Sequence, residues 1–277
     1  MISNTTPRLW TPGFSSLGCV DLDLLQMFSL AKEFSIRHIE LRAIENQMDL
    51  PTYFSKRFTT LEHAKEFILA AGVKIVSLGT SFRWIQAPEG GREDFLRFCS
   101  LANSLDIPYV RVFGGSAWGI PLTDEDYQLA VHEYQWWEIE REKNDWKVQA
   151  ITETHDAFSA SQPLIHLMGR LGKGIPILWD THHTWKYGEE SLSTTWKALK
   201  EFIVHIHFKD SISPPSPHFP FTYVVPGAGE FPIQDLQSIL NQNTYQGTVS
   251  LEWERKWHPY LPELRIALEA AQKKAWF

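Results

Sequence analysis

Short apolar segments alternate with amphipathic segments along nearly the whole chain, and this alternation is the strongest constraint on its fold. The apolar segments are rich in Ile, Val, Leu and aromatic residues, as is typical of buried parallel strands. Eight of them are predicted to be strands: Arg8–Gly13, His38–Arg42, Lys74–Thr80, Pro108–Phe113, Gln149–Thr154, Pro176–Thr181, Ile203–Lys209 and Thr248–Trp253. Between them apolar residues recur at helical spacing, as at Leu24, Met27, Ala31 and Phe34.

Eight strand–helix units favour closure into a (β/α)8 TIM barrel over an open doubly wound sheet, which has the same alternation. Dividing the 277 residues by eight leaves about 35 per unit, enough for a strand, a loop and a helix. Because no shift in composition marks a domain boundary, residues 1–277 are predicted to form a single α/β domain.

One connection, from Asp210 to Phe231, departs from this pattern. Long loops without secondary structure are uncommon and often cover active sites. The aromatic residues Phe219, Phe221 and Tyr223 favour an ordered, packed loop over a disordered insertion. The segment cannot form a helix because it contains five prolines: Pro214, Pro215, Pro217, Pro220 and Pro226.

Charge and cysteine content exclude several functional classes. The 26 Lys and Arg against 33 Asp and Glu leave a net charge of −7, which argues against nucleic acid as a partner, since phosphate binding needs a basic face. Cys19 and Cys99 lie far apart and outside any CxxC motif, which argues against a disulfide framework or a Cys-based zinc site. The segment MISNTTPRLW lacks the basic and apolar regions of a secretion signal. The sequence contains no run of about 18 apolar residues, which is the length that would suggest a membrane span. We therefore predict a cytoplasmic protein without a membrane partner.

Polar residues end four strands that are otherwise apolar. Side chains of a barrel strand alternate inward and outward, so polar residues of one parity near its C-terminal end face the mouth, where barrel enzymes act. Unpaired buried carboxylates are costly, and a divalent metal ion is the simplest compensation. Three carboxylates and one imidazole suit Mn²⁺ or Mg²⁺, with Zn²⁺ or Co²⁺ as alternatives. These residues are Glu153 in AITETHD, Asp180 in PILWDTHH, His207 in IVHIHFKD and Glu252 in VSLEWER.

The motifs ETH, DTHH, HIHFKD and SLEWE, together with IELRA, VRVFGG and PGAGEF, resemble the sugar phosphate isomerase/epimerase superfamily. This is the xylose isomerase-like TIM barrel group, which is related to the endonuclease IV family. The resemblance covers nearly the whole chain and implies that His183 faces the substrate or a second metal. It also implies a set of four metal ligands: Glu153, Asp180, His207 and Glu252.

Two departures from the superfamily patterns argue against two of the functions found in the superfamily. The third and fourth strands end in VSLGTS and RVFGG, without the extra histidines of the endonuclease IV-type members, which argues against DNA repair. The segment HDAFSAS lacks the second glutamate of the ketose 3-epimerases, which weakens a close assignment to that branch.

The predicted function is a divalent-metal-dependent isomerase or epimerase that acts on a sugar or keto-sugar through an enediolate. The metal would chelate a carbonyl and a neighbouring hydroxyl and acidify the C–H between them. Glu153 and Glu252 flank that position, where one would remove the proton as general base and the other could return it as general acid. Arg111 either binds substrate or, as we favour, pairs inside the barrel with Glu40. The predicted substrate-binding residues are His155, His183, Lys209, Arg111 and Trp118.

Five tryptophans are predicted on or just beyond strand ends, where one or two would stack on the apolar face of a sugar ring. Two other functions stay open: a metal-dependent dehydratase of a keto-inositol or keto-sugar, and a carbohydrate-binding barrel without catalysis. Exposed tryptophans between Tyr134 and Trp146 could serve an interface in a homo-oligomer. The five tryptophans are Trp10, Trp84, Trp118, Trp185 and Trp257.

Overall fold

The computed structural model describes residues 8–276, in which eight parallel strands close into a barrel. Closure is made by the last strand, which pairs with the first strand and with the seventh. This confirms the predicted TIM barrel and rules out the open sheet, while the single domain stays a prediction. The barrel strands are β1 (Thr11–Ser15), β2 (His38–Leu41), β3 (Lys74–Arg83), β4 (Tyr109–Phe113), β5 (Gln149–Glu153), β6 (Ile177–Asp180), β7 (Ile203–Phe208) and β10 (Thr248–Leu251).

Helices cover the outside of the barrel and follow the predicted periodicity. In the first helix, Met27 and Ala31 are fully buried, and Asp23 caps its start in a reciprocal pair of hydrogen bonds with Gln26. The helices within the described residues are α1 (Leu24–Glu33), α2 (Leu50–Arg57), α3 (Leu61–Ala71), α4 (Gly91–Ser104), α5 (Asp124–Lys143), α6 (Ser161–Leu171), α7 (Thr181–Lys186), α8 (Leu192–Leu199), α9 (Ile233–Gln242) and α10 (Leu264–Lys273).

The proline-rich connection is ordered, as predicted. Its ends form a two-stranded antiparallel ribbon of β8 (Asp210–Ile212) and β9 (Thr222–Val224). Phe221 and Tyr223 are buried and hold the ribbon against the barrel.

The Asp210 carboxylate ties this connection to the end of β7. It accepts hydrogen bonds from the backbone N–H groups of Ser211, Gly227, Gly229 and Phe231 at 2.8–3.0 Å. A Cβ atom at Gly229 would lie 2.1 Å from Asp210 Oδ1, so this close approach requires the second glycine of PGAGEF.

We expect Asp210→Ala to destabilise the protein by about 3 kcal/mol, because hydrogen bonds to a charged acceptor contribute roughly 1.5–3 kcal/mol each and are not additive. Urea unfolding measures this loss, and limited proteolysis should show faster cleavage between β8 and β9. Asp21→Ala is the control, since its exposed ion pair with Arg255 at 3.4 Å should change stability by less than about 0.5 kcal/mol. Equal stability of the two variants would contradict the anchoring role.

Other expectations have mixed outcomes. Cys19 and Cys99 are both free and buried, in agreement with the absence of a disulfide framework. The expectation of exposed tryptophans between Tyr134 and Trp146 is wrong: Trp137 is buried, and Trp136 and Trp146 are half-buried against their neighbours. Among residues 8–276, no helix is long and apolar enough to cross a membrane.

Candidate metal centre and active site

Four buried side chains meet at the C-terminal end of the barrel. Glu153 and Asp180 are the last residues of β5 and β6, His207 is near the end of β7, and Glu252 directly follows β10. Because these four strands are consecutive around the barrel, one donor atom from each side chain lies within 4.8 Å of the others. The structure therefore brings together the four residues that the sequence predicts as metal ligands.

The backbone around Asp180 fixes the orientation of its carboxylate. Asp180 is the N-cap residue of α7, and its Oδ1 accepts a hydrogen bond from the backbone N–H of His183 at 2.8 Å. The capping bond occupies Oδ1, while Oδ2 lies 3.8 Å from His207 Nδ1 and 2.9 Å from Lys209 Nζ.

The two ring nitrogens of His207 have different surroundings. Nε2 lies 2.8 Å from a carboxylate oxygen of Glu40. Nδ1 lies 3.8 Å from both Glu153 and Asp180 and 3.4 Å from Glu252, and it is buried without a hydrogen-bond partner among the described residues. A buried nitrogen that faces three carboxylates fits a metal ligand, and three oxygens with one nitrogen fit a divalent cation.

The carboxylates around this centre outnumber the cations that they contact. Arg111 Nε lies 3.1 Å from Glu153. The Lys209 ammonium lies 2.9 Å from Asp180 and also contacts Glu252 and Glu254. Four carboxylates thus make direct contacts with one Lys and one Arg side chain, and this arrangement is compatible with a divalent cation among them.

Burial and ion pairing act in opposite directions on these groups. Burial raises the pKa of Glu252, but Lys209 and His207 outweigh it and hold that pKa well below its usual range. Burial lowers the pKa of Lys209, but Asp180, Glu252 and Glu254 raise it well above its usual range. Glu252 is therefore a carboxylate at neutral pH, and Lys209 is an ammonium.

The expected pair between Arg111 and Glu40 is wrong. Arg111 pairs with Glu153 on the adjacent strand β5, and its Nη1 donates to the Thr80 carbonyl at 3.0 Å. Glu40 bonds His207 instead. Both pairs lie inside the barrel, but strand parity alone does not tell which inward residues meet.

The predicted substrate-binding residues His155, His183 and Trp118 form one aromatic wall at the mouth. The Trp118 ring lies 4.5 Å from the His155 ring and 5.0 Å from the His183 ring, and it stacks on Tyr187 at 4.0 Å. The wall lines a cavity of about 390 Å³ under the proline-rich connection. His155 and His183 also line a deeper cavity of about 280 Å³, which contains Glu153, Glu252 and Arg111. Lys209 is 1% exposed and lines neither of these two cavities, and besides its three carboxylate contacts its ammonium lies 3.3 Å from His183 Nε2.

Of the five tryptophans, Trp118 and Trp257 line the mouth cavity. Trp84 is fully buried and donates to Thr152 Oγ1 at 2.8 Å, and Trp185 packs against Phe231. β1 begins at Thr11 rather than at Arg8. Trp10 therefore precedes the strand and lies at the end of the barrel opposite the mouth. Only Trp118 and Trp257 remain candidates for stacking on a substrate.

Three further charged residues belong to the site, and the sequence analysis did not assign them to it. Glu40 bonds His207, Arg42 lines the deeper cavity, and Glu254 contacts Lys209. Arg42 and Glu254 each lie two residues beyond an inward-facing Glu, in IELRA and SLEWE. The strand period of two was a signal that could have found both.

Glu40 is positioned to orient His207, because a carboxylate that accepts the Nε2 proton leaves the Nδ1 lone pair for a metal. We expect Glu40→Ala to lower Mn²⁺ affinity about 10–100-fold, with Glu40→Gln between that variant and the wild type. Calorimetric metal titration measures the affinity, and ¹⁵N NMR of His207 reports its tautomer. An unchanged tautomer together with unchanged metal affinity in Glu40→Ala would contradict this role.

The family model of the xylose isomerase-like TIM barrel matches residues 28–275. The chain belongs to this family. The match of the family model confirms the resemblance that the strand-end motifs indicate. A comparison with curated proteins found no match.

Solved structures share the fold at low sequence identity. The probable 3-DHS dehydratase AsbF of Bacillus anthracis is 16% identical, with a TM-score of 0.76 over 95% of this chain and 98% of that one. The IolI protein with a bound zinc atom is 16% identical, with a TM-score of 0.74 over 96% of both chains. D-allulose 3-epimerase from Methylomonas sp., in complex with D-allulose, is 12% identical, with a TM-score of 0.70 over 96% and 95% of the two chains.

Proposed function

We propose that this protein is a divalent-metal-dependent isomerase or epimerase that moves a proton next to the carbonyl of a sugar or keto-sugar. The observation that carries the proposal is that Glu153 and Glu252 belong to the candidate metal centre and line the same deep cavity. A bound metal ion would polarise a substrate carbonyl and lower the pKa of the neighbouring C–H. Mn²⁺ or Mg²⁺ suits the ligand set, with Zn²⁺ or Co²⁺ as alternatives.

The two glutamates line the same cavity and are paired with different cations, so that they could serve the two steps of a proton transfer. Glu252 is held as a carboxylate beside Lys209 and can accept a proton from carbon. Glu153 is also a carboxylate, because its ion pair with Arg111 at 3.1 Å lowers its pKa against the effect of burial, and it could return a proton to carbon after taking one up from solvent. Arg111 is thereby a positioning residue for Glu153.

The mouth of the site suits a polyhydroxy substrate. His155 and His183 line the mouth cavity beside the apolar ring of Trp118, and such a combination of polar and aromatic side chains suits hydroxyl groups and C–H bonds. Similarity to proteins described as a D-allulose 3-epimerase and a zinc-containing IolI protein supports this class of chemistry.

Proton NMR in D₂O tests the proposal. Mn²⁺-loaded and metal-free protein would be incubated with a panel of ketoses, inosose and hydroxypyruvate. We expect metal-dependent loss of the proton signal next to the carbonyl for at least one compound. Absence of exchange across the panel, in protein with stoichiometric metal, would count against the proposal.

A dehydratase of a keto-inositol or keto-sugar is the second candidate, supported by the similarity to the probable 3-DHS dehydratase. It would share the first proton abstraction and then release a β-hydroxyl group as water. Product analysis distinguishes the two reactions, since only dehydration yields an unsaturated ketone. A carbohydrate-binding barrel would bind sugar without exchange and would have no need of stoichiometric metal.

A further inference from the structure

Arg42 differs from the other buried cations of the site in its partners. Arg111 pairs with Glu153, and Lys209 contacts three carboxylates. Arg42 is 7% exposed, and among the described residues it has no ion pair. Its Nη2 donates to Ser81 Oγ at 2.7 Å, which engages one of the five N–H donors of a guanidinium.

A neighbouring arginine makes this environment still less favourable for a charge. A Cβ atom at Gly79 would lie 2.7 Å from Arg42 Cδ and 3.1 Å from Arg111 Nη2, so the two arginines lie side by side over this glycine. Burial, and then the like charge of Arg111, lower the pKa of Arg42, the charges of Glu153 and Glu252 act in the opposite direction, and the pKa is about 9. Arg42 is thus still cationic at neutral pH, and a buried guanidinium that makes no direct ion pair has N–H donors left for an anionic ligand.

Arg42 lies where a substrate group would reach it. It follows β2 at the C-terminal end of the barrel and lines the cavity of about 280 Å³ that also contains Glu153 and Glu252. A molecule with its carbonyl beside these glutamates would therefore lie within the same cavity as the guanidinium.

We infer that Arg42 binds a carboxylate of the substrate, so that the substrate class of this site is a hydroxy-keto acid rather than a neutral sugar. A guanidinium matches a carboxylate with two parallel hydrogen bonds. A phosphate monoester fits less well, because it carries a charge of about −1.5 to −2, whereas Arg42 adds one positive charge beside three glutamates that line the cavity. The inference rests on the proposed function for the placement of the carbonyl.

The test compares three achiral probes by calorimetric titration into the Mn²⁺-loaded protein. The first is hydroxylevulinate, which is a hydroxy-keto acid. The second is the neutral diol in which a hydroxymethyl group replaces the carboxylate of hydroxylevulinate. The third is the phosphate monoester of that diol. We expect hydroxylevulinate to bind about tenfold or more tightly than either of the others, as one charged hydrogen-bonded pair provides. Arg42→Gln should abolish this preference, so that hydroxylevulinate and the diol bind the variant with similar affinity, and Arg42→Lys should keep part of it.

Arg92→Gln is the matched control, because it removes the same charge from a surface arginine paired with Glu133. It should keep the full preference for hydroxylevulinate. Circular dichroism and metal content establish that the Arg42 variants are folded and loaded. Equal binding of hydroxylevulinate and the diol, a preference that persists in Arg42→Gln, or tighter binding of the phosphate would each overturn the inference. Because binding needs no turnover, these outcomes are separate from the deuterium-exchange test of the proposed function.

Discussion

Glu252→Gln should lower the rate of solvent-deuterium exchange next to the substrate carbonyl by about 10³-fold or more, since a positioned general base contributes roughly 10²–10⁴-fold. Glutamine has the shape of glutamate and keeps an oxygen that can ligate a metal, but it cannot accept a proton from carbon. Lys209 keeps its contacts with Asp180 and Glu254, so we expect the barrel to stay folded. Proton NMR in D₂O measures the rate, with the best compound from the ketose panel.

Glu269→Gln is the control for this experiment, because Glu269 is exposed on α10 and lines neither cavity at the barrel mouth. It should exchange at the wild-type rate. Metal content and circular dichroism of both variants separate a loss of chemistry from a loss of the site. If Glu252→Gln retains metal and exchanges within tenfold of the wild type, Glu252 is not the base.

Removal of the metal should abolish exchange and lower the melting temperature. A ligand at about 100 times its Kd stabilises the folded state by about 2.7 kcal/mol, and 1 kcal/mol shifts the melting temperature of a chain this size by roughly 2–4 °C. We therefore expect a decrease of about 5–10 °C on treatment with a chelator, and recovery of both properties when Mn²⁺ is restored. Differential scanning calorimetry measures the shift, and elemental analysis should find one ion per chain.

Asp180→Asn distinguishes metal loss from nonspecific effects of the chelator. Asparagine can still cap α7 through the bond to the His183 N–H, but it removes a charged ligand atom. The melting temperature of this variant should respond little to Mn²⁺ or to the chelator. Full exchange activity in metal-free wild type, or an equal response of wild type and variant, would contradict a metal centre at these residues.

The predicted and observed strands overlap at all eight positions, and their differences are at the ends. The difference with a consequence for the site is at β1, whose first residue is Thr11 instead of the predicted Arg8. Trp10 therefore lies before the strand and away from the barrel mouth. Strand ends depend on where ladder pairing with the neighbouring strands stops, and no local pattern of side chains records this.

The amino-acid sequence by itself determined the barrel and the four residues at its centre. Apolar periodicity and inward parity are local properties of a strand or helix, so they can be read without knowing the neighbours. Polar residues of inward parity at the ends of β5, β6, β7 and β10 must converge once the barrel closes, because its mouth gathers all strand ends.

Only the tertiary structure decided how the charges of the site are partnered. Glu40 bonds His207, Arg111 pairs with Glu153, and Lys209 lies among three carboxylates. Whether two inward residues meet depends on the tilt and stagger of the whole barrel, which no single strand encodes. The same geometry left Arg42 without a direct ion pair among the described residues, at the wall of the reaction cavity, and from this position we infer an acidic substrate.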